Sequence, residues 1–151
     1  MKNMEIREMM EQDLDGILEV EKLSFHTPWS RDAFEKELRE NRLARYVVGI
    51  IDGKVVGYCG VWLIVDEGHI TNVAVHPDFR GHGVGKKLVR ALIDLCESEG
   101  IEKMTLEVRV NNEVAINLYE GFDFKGVGVR KGYYTDTHED ALIMWRGETE
   151  Y

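Results

Sequence analysis

Asn72-Val73-Ala74-Val75-His76-Pro77-Asp78-Phe79-Arg80-Gly81-His82-Gly83-Val84-Gly85-Lys86-Lys87-Leu88 is the most informative stretch of the chain. A β-branched run ends at Pro77, a loop with glycines at alternate positions follows, and Leu88 opens an apolar helical periodicity. Residues without side chains let backbone N–H groups close on an oxygen-rich anion, and a helix N-terminus adds about half a positive charge there. The arrangement predicts a phosphate or pyrophosphate site, with Arg80, Lys86 and Lys87 as nearby cations. It is not a Walker A loop, because Gly85-Lys86 is followed by Lys87 and the first glycine is misplaced. A dinucleotide fingerprint fails as well, since a β meander precedes the loop and no βαβ unit is present. A tight turn without a ligand is the other reading that the glycines alone allow.

On the C-terminal side of the loop, Leu88, Val89, Leu92, Ile93 and Cys96 form an amphipathic helix stopped by Gly100 in the C-cap region. Upstream, residues 46–51 and 55–65 are rich in β-branched and aromatic side chains and are separated by Asp52-Gly53, the dipeptide a type I′ hairpin favours. Asp66-Glu67-Gly68 is expected to turn the chain again, and residues 69–75 to form a third strand. Nearer the N-terminus, Leu14, Ile17, Leu18, Glu21 and Phe25 fall at helical spacing until Pro28 interrupts it, and Ser30 caps a second short helix that carries Phe34 and Leu38. Downstream, a strand over 103–108, a helix over 113–120 and closing strands over 122–130 and 141–146 complete the pattern. This order predicts an α+β fold: a mixed, mostly antiparallel central sheet flanked by helices on both faces, in three layers, as a single domain over 1–151.

Nineteen basic against 28 acidic side chains give a formal charge of −9, which argues against direct nucleic-acid binding, because counterion release needs a basic face. A hydrophobic fraction of 44% with two prolines is enough for a buried core, so a disordered chain is excluded. Cys59 and Cys96 are isolated in apolar runs and read as buried free thiols of a reducing compartment. The N-terminal residues lack an apolar leader, and no apolar run approaches the roughly 20 residues of a membrane helix. The expectation is a cytoplasmic protein without membrane contact. His26, His69, His76, His82 and His138 show no ligand spacing, so no metal is expected. A Ser-His-Asp hydrolase would need a Gly-x-Ser-x-Gly elbow that the chain lacks.

Arg80-x-x-Gly83-x-Gly85, between a strand and a helix, resembles the pyrophosphate loop of the GNAT acetyltransferase superfamily. Pro28-Trp29-Ser30, Asn72-Val73-Ala74-Val75-His76-Pro77, Leu106-Glu107-Val108-Arg109 with Asn112, Ala115, Leu118 and Tyr119, then Tyr133-Tyr134 and Glu139-Asp140-Ala141 resemble the RimI type, the ribosomal-protein-alanine N-acetyltransferases. The likeness runs over nearly the whole chain. It implies acetyl-CoA as cosubstrate and the N-terminus of a protein or peptide, a ribosomal protein in the first instance, as acceptor.

Carried over residue by residue, the resemblance implies Glu107 as the base that deprotonates the amine, directly or through water, and Tyr119 as the acid that protonates the departing thiolate. A surface carboxylate and a core aromatic are their ordinary alternatives. Val73, Ala74 and Val75 would pair through their backbone with the pantetheine arm. Arg80, Gly81, His82, Gly83, Val84, Gly85 and Lys86 would hold the pyrophosphate. Asn112 is open between a cofactor contact and a helix N-cap. Trp29, Tyr133 and Tyr134 would wall the acceptor groove, and Asp136, His138, Glu139 and Asp140 would either attract a basic peptide or form a solvated turn. Asp123 stands where the family usually has glycine; if that position needs a positive φ, Asp tolerates it better than most residues. An α-amino group, with pKa about 7.7 to 8.0, is partly neutral near pH 7, whereas a lysine at about 10.4 almost never is, so an N-terminal acceptor asks less of its base. A lysine or small-molecule amine as acceptor, or a CoA-binding protein without turnover, remain the alternatives, and the oligomeric state, monomer or homodimer, is left open.

Overall fold

Asp52 and Gly53 both adopt positive φ, 51° and 75°, as a two-residue hairpin loop requires. Around that turn the chain builds a seven-stranded sheet, and the computed structural model describes residues 3–25 and 28–147. The strands are β1 (Glu5–Glu8), β2 (Ala44–Ile51), β3 (Lys54–Ile64), β4 (Glu67–Val75), β5 (Lys103–Arg109), β6 (Lys125–Tyr134) and β7 (Glu139–Arg146). The helices are α1 (Leu14–Ser24), α2 (Arg31–Glu40), α3 (Val84–Ser98) and α4 (Glu113–Glu120), with short 3-10 turns at Glu11–Asp13 and Pro77–Phe79. The strands lie in the order β1-β2-β3-β4-β5-β7-β6, antiparallel throughout except where β4 meets β5.

The expected α+β, three-layer arrangement is what the chain adopts. Alternate residues of a strand face opposite sides, and the neighbours Val47 and Val48, or Tyr58 and Cys59, belong to different cores. On one face Leu14, Ile17 and Val20 of α1 and Phe34 of α2 pack on Tyr46, Val48, Tyr58 and Ala74. On the other, Leu88, Val89, Leu92, Ile93 and Cys96 of α3 and Tyr119 of α4 pack on Val47, Cys59, Leu106 and Met144. Both cysteines are free and buried. No helix of the described residues is long and apolar enough to cross a membrane.

Several local expectations are corrected. The turn after β3 is Val65-Asp66, so β4 begins at Glu67 and not at His69; Val65 takes φ 57° and is almost fully exposed. The penultimate strand runs 125–134 rather than 122–130, because Phe122 and Asp123 belong to the turn after α4 and the hairpin continues through Tyr134. Asp123 has φ 69°, so the position where the family carries glycine is a left-handed one. The strand β1 has no counterpart in the pattern: four residues with a glutamate at each end carry too little periodicity. His26 lies outside the described residues.

The feature that positions the site is a parting of strands. The β4–β5 pairing covers Glu67↔Lys103, Gly68↔Met104 and His69↔Thr105 and then ends, while β5 goes on pairing with β7 as far as Arg109↔Ala141. Beyond His69, β4 keeps β3 on one side and has no strand among the described residues on the other. Its backbone groups on that side are left without a strand partner among the described residues.

Candidate active site

A cleft of about 850 Å³ opens where β4 and β5 part. Its lining includes Asn72 and Val73 of β4, Glu107 of β5, Tyr119 of α4 and Asn112 just before it, Tyr133 and Tyr134 of β6, and Glu21 and Trp29 from the α1–α2 side. Because residues of both helical layers contribute, the cleft passes through the sheet from face to face. It thus brings together Glu107, Tyr119, Asn112, Val73, Trp29, Tyr133 and Tyr134 of the residues expected from the sequence.

Glu107 lies between the buried Leu106 and Val108 on β5, opposite Ile143 of β7, and its side chain is about a quarter exposed. The guanidinium of Arg130 on β6 approaches its Oε1 to 3.9 Å. Tyr119 is buried on α4, with its ring edge-on to Phe124 at 5.8 Å. Burial pushes its phenol well above the ordinary tyrosine range, with Cys59 and Tyr134 adding to the effect. Like an unshifted tyrosine, it carries its proton at physiological pH. Tyr119 serves as both core aromatic and cleft wall, so its two readings do not exclude each other.

The glycine loop sits at the α3 end of β4, beyond the residues that line the cleft. Gly81 and Gly83 take φ of 81° and 78°, which side-chain-bearing residues rarely adopt, and no atom lies within 4 Å of where a Cβ would stand. Val84, Gly85 and Lys86 form the first turn of α3, where helical geometry leaves backbone N–H groups without intrahelical partners. An open loop ending in unpaired amides at a helix N-terminus fits a pyrophosphate. Val84 itself is buried, so only its backbone is available to a ligand. Ala74 is buried against the α1–α2 core, while Val73 and Val75 pack toward α3. Arg80 is exposed and acts as a tie between the loop and the end of α1, since its Nε donates to the Val75 carbonyl at 3.1 Å and its Nη2 to Ser24 Oγ at 3.4 Å. Asn112 caps α4, its side chain accepting from the Ala115 N–H at 3.1 Å, and at the same time lines the cleft.

On the acceptor side, Tyr133 and Tyr134 meet edge to face at 5.1 Å, and the half-buried Trp29 packs on Phe34 at 5.3 Å. Burial pushes the Tyr134 phenol up to about 12 despite the neighbouring Arg109 cation. The acidic residues of the hairpin tip are not a free anionic patch. Asp136 and Glu139 are engaged by Arg109, and Asp140 accepts from the Gly132 N–H at 2.9 Å. Sequence reasoning also missed Glu21, Glu37 and Trp62. Glu37 accepts from the Tyr46 hydroxyl at 2.6 Å and from Trp62 Nε1 at 2.7 Å, which fixes the Trp62 indole in the cleft wall. For Glu21 a signal existed: a carboxylate on the apolar stripe of α1, where a core residue belongs. Among the described residues no group of three or more His, Cys, Asp or Glu side chains is placed to hold a metal ion.

Comparison with known proteins agrees with this geometry. Residues 14–124 match the Acetyltransferase (GNAT) family. A Bacillus subtilis (strain 168) protein, with the provisional name of a ribosomal protein bS18-alanine N-acetyltransferase, is 45% identical over 140 residues, covering 93% of each chain. The ribosomal protein bS18-alanine N-acetyltransferase of Escherichia coli (strain K12) is 36% identical over 136 residues, covering 87% of this chain and 89% of its own. Among solved structures, the ribosomal-protein-S18-alanine N-acetyltransferase from Escherichia coli superposes with a TM-score of 0.87 at 30% identity, covering 99% of this chain and 96% of the other. Ard1 from Thermoplasma volcanium gives 0.85 at 27%, covering 97% and 99%. With the glycine loop, the parted strands and the match over most of its length, the chain belongs to the GNAT family of acetyltransferases.

Proposed function

We propose that the protein transfers the acetyl group of acetyl-CoA to the α-amino group of a protein N-terminus, with the N-terminal alanine of a ribosomal protein as acceptor. One observation carries the reading: a single cleft at the parting of β4 and β5 is lined by Glu107, Tyr119 and Asn112 together with the aromatic residues Trp29, Tyr133 and Tyr134. The names of the relatives at 45% and 36% identity support the choice of acceptor.

In this reading the pyrophosphate rests on the amides of the loop from Gly81 to Lys86, and the pantetheine arm pairs with the free edge of β4 at Val73, Ala74 and Val75. Glu107 takes a proton from the ammonium, directly or through water, so that the neutral amine attacks the thioester carbonyl. The new C–N bond forms as the C–S bond breaks, and the Tyr119 hydroxyl gives its proton to the leaving thiolate. What supports that role is position: the Tyr119 side chain is part of the cleft wall together with Glu107.

The test is thiol release from acetyl-CoA with peptides that differ at the first residue, each also carrying one internal lysine. Acetylation of a free N-terminal alanine peptide, and loss of the signal when that terminus is blocked, is the expected outcome. Equal acetylation of the free and blocked peptides would point to the lysine and sink the N-terminal reading.

A further inference from the structure

Glu21 is almost wholly buried on α1 and lines the cleft, yet the proton transfers assigned to Glu107 and Tyr119 leave it without a part. A buried carboxylate is costly unless its oxygens are hydrogen-bonded. Here one oxygen accepts from the hydroxyl of Tyr58, a residue of β3 with no exposure, and the other accepts from the backbone N–H of Trp29 at 2.8 Å. The Tyr58 oxygen in turn accepts from Asn72 Nδ2 of β4 at 3.4 Å. A continuous polar chain therefore runs from β4, through β3 and α1, to the segment that carries the Trp29 wall of the cleft. A second link runs beside it, because Phe34 packs on both Trp29, at 5.3 Å, and Tyr58, at 5.8 Å.

We propose that Glu21 is a positioning residue for the acceptor: through Tyr58 and the Trp29 N–H it holds the Trp29 wall at a set distance from β4, the strand that would carry the acetyl donor. The inference deepens the acceptor reading given above and rests on it for the identity of the substrate. Its physical basis is that Trp29 lies outside the regular helices, between α1 and α2, so the helix ladder leaves its backbone N–H unpaired and a side chain must satisfy it. Without the carboxylate that N–H would be orphaned and the segment released, while β4 and the glycine loop would keep their own supports.

The experiment compares Glu21→Leu, Glu21→Gln and Tyr58→Phe in the full chain. Tyr58→Phe keeps the ring in the core and removes the hydroxyl donor, so the proposal remains testable if Glu21→Leu fails to fold. Two readouts are taken. The first is the KM for an N-terminal alanine peptide against the KM for acetyl-CoA. The second is the 19F spectrum of protein labelled with 5-fluorotryptophan, its resonances assigned with Trp62→Phe and Trp145→Phe.

Glu21→Leu and Tyr58→Phe should raise the peptide KM by about tenfold or more, as loss of a hydrogen bond to a charged group implies, and leave the acetyl-CoA KM within about twofold. The Trp29 resonance should move or broaden in both, and Glu21→Gln, which keeps an oxygen for the Trp29 N–H, should recover most of the peptide KM. An unmoved Trp29 resonance, or donor and acceptor KM rising together, would overturn the proposal. If the wild-type protein leaves the alanine peptide unacetylated, the N-terminal reading fails by itself, and the fluorine spectrum still decides whether Glu21 positions Trp29.

Discussion

The guanidinium of Arg109 lies 4.0 Å from the centre of the Tyr134 ring and reaches Asp136 and Glu139, each at 3.1 Å. One side chain at the end of β5 thus braces an aromatic wall of the cleft and ties down both sides of the β6–β7 turn. Arginine suits this position because its planar guanidinium can stack on a ring and bind carboxylates through its fork at once.

Replacing Arg109 by glutamine should therefore loosen the hairpin tip and raise the peptide KM by about tenfold, in line with a lost charge-assisted hydrogen bond of about 1.5 kcal/mol. Arg109→Lys keeps the charge and loses the fork, and should recover only part of the effect. Steady-state kinetics with each substrate varied in turn will check this; an unchanged peptide KM in Arg109→Gln would show that the clamp is idle.

Glu107→Gln and Tyr119→Phe remove a proton acceptor and a proton donor while keeping shape. Each should lower kcat by about a hundredfold, the lower end of what a positioned acid or base supplies, with little change in either KM. Single-turnover acetyl transfer is the measurement to make, since it separates chemistry from product release. If Tyr119→Phe turned over at the wild-type rate, the residue would be reduced to its packing against Phe124.

Gly83→Val places a β-branched residue at φ 78°, where the space is open and the backbone conformation is the obstacle. The loop should shift to relieve that strain and lose its hold on the donor. The expected result is a KM for acetyl-CoA raised by about tenfold or more against an unchanged peptide KM, the reverse of the Arg109 pattern; strain of about 1–2 kcal/mol has that scale. Calorimetric titration with CoA measures the same loss without turnover.

Asp13 provides a pH test remote from the cleft. Burial by itself would raise its carboxyl, but two bonds from Arg7 at 2.7 Å and one from the Met10 N–H at 2.8 Å outweigh that and hold it below the ordinary range. A depressed carboxyl contributes stability above its unfolded pKa of about 3.9, and loses it as pH falls through the lower folded value. Asp13→Asn should thus cost about 1.5–3 kcal/mol in urea unfolding at pH 7, and the gap from wild type should narrow as pH falls below the ordinary carboxylate range. A gap that stays constant through the whole acid limb of unfolding would mean that shape, and not charge, is what Asp13 contributes.

Most local elements, the glycine loop among them, are legible in residue order. Asp52-Gly53 announces its hairpin because that turn demands two positive φ values, and the glycine loop announces its left-handed, open backbone because that conformation follows from residue type alone. Family likeness then marks Glu107, Tyr119 and Asn112, and the fold brings all three to one cleft. What the remaining charges do is settled by packing in three dimensions. Asp136, Glu139 and Asp140 are occupied with backbone and Arg109, and Arg80 with Val75 and Ser24, because their partners lie on other elements or across a turn whose shape no local pattern states. Glu21 is the clearest case: its place on an apolar stripe shows only that it would be buried. Its meaning comes from Tyr58, 37 residues away, and from the Trp29 N–H, which the folded chain alone puts within its reach.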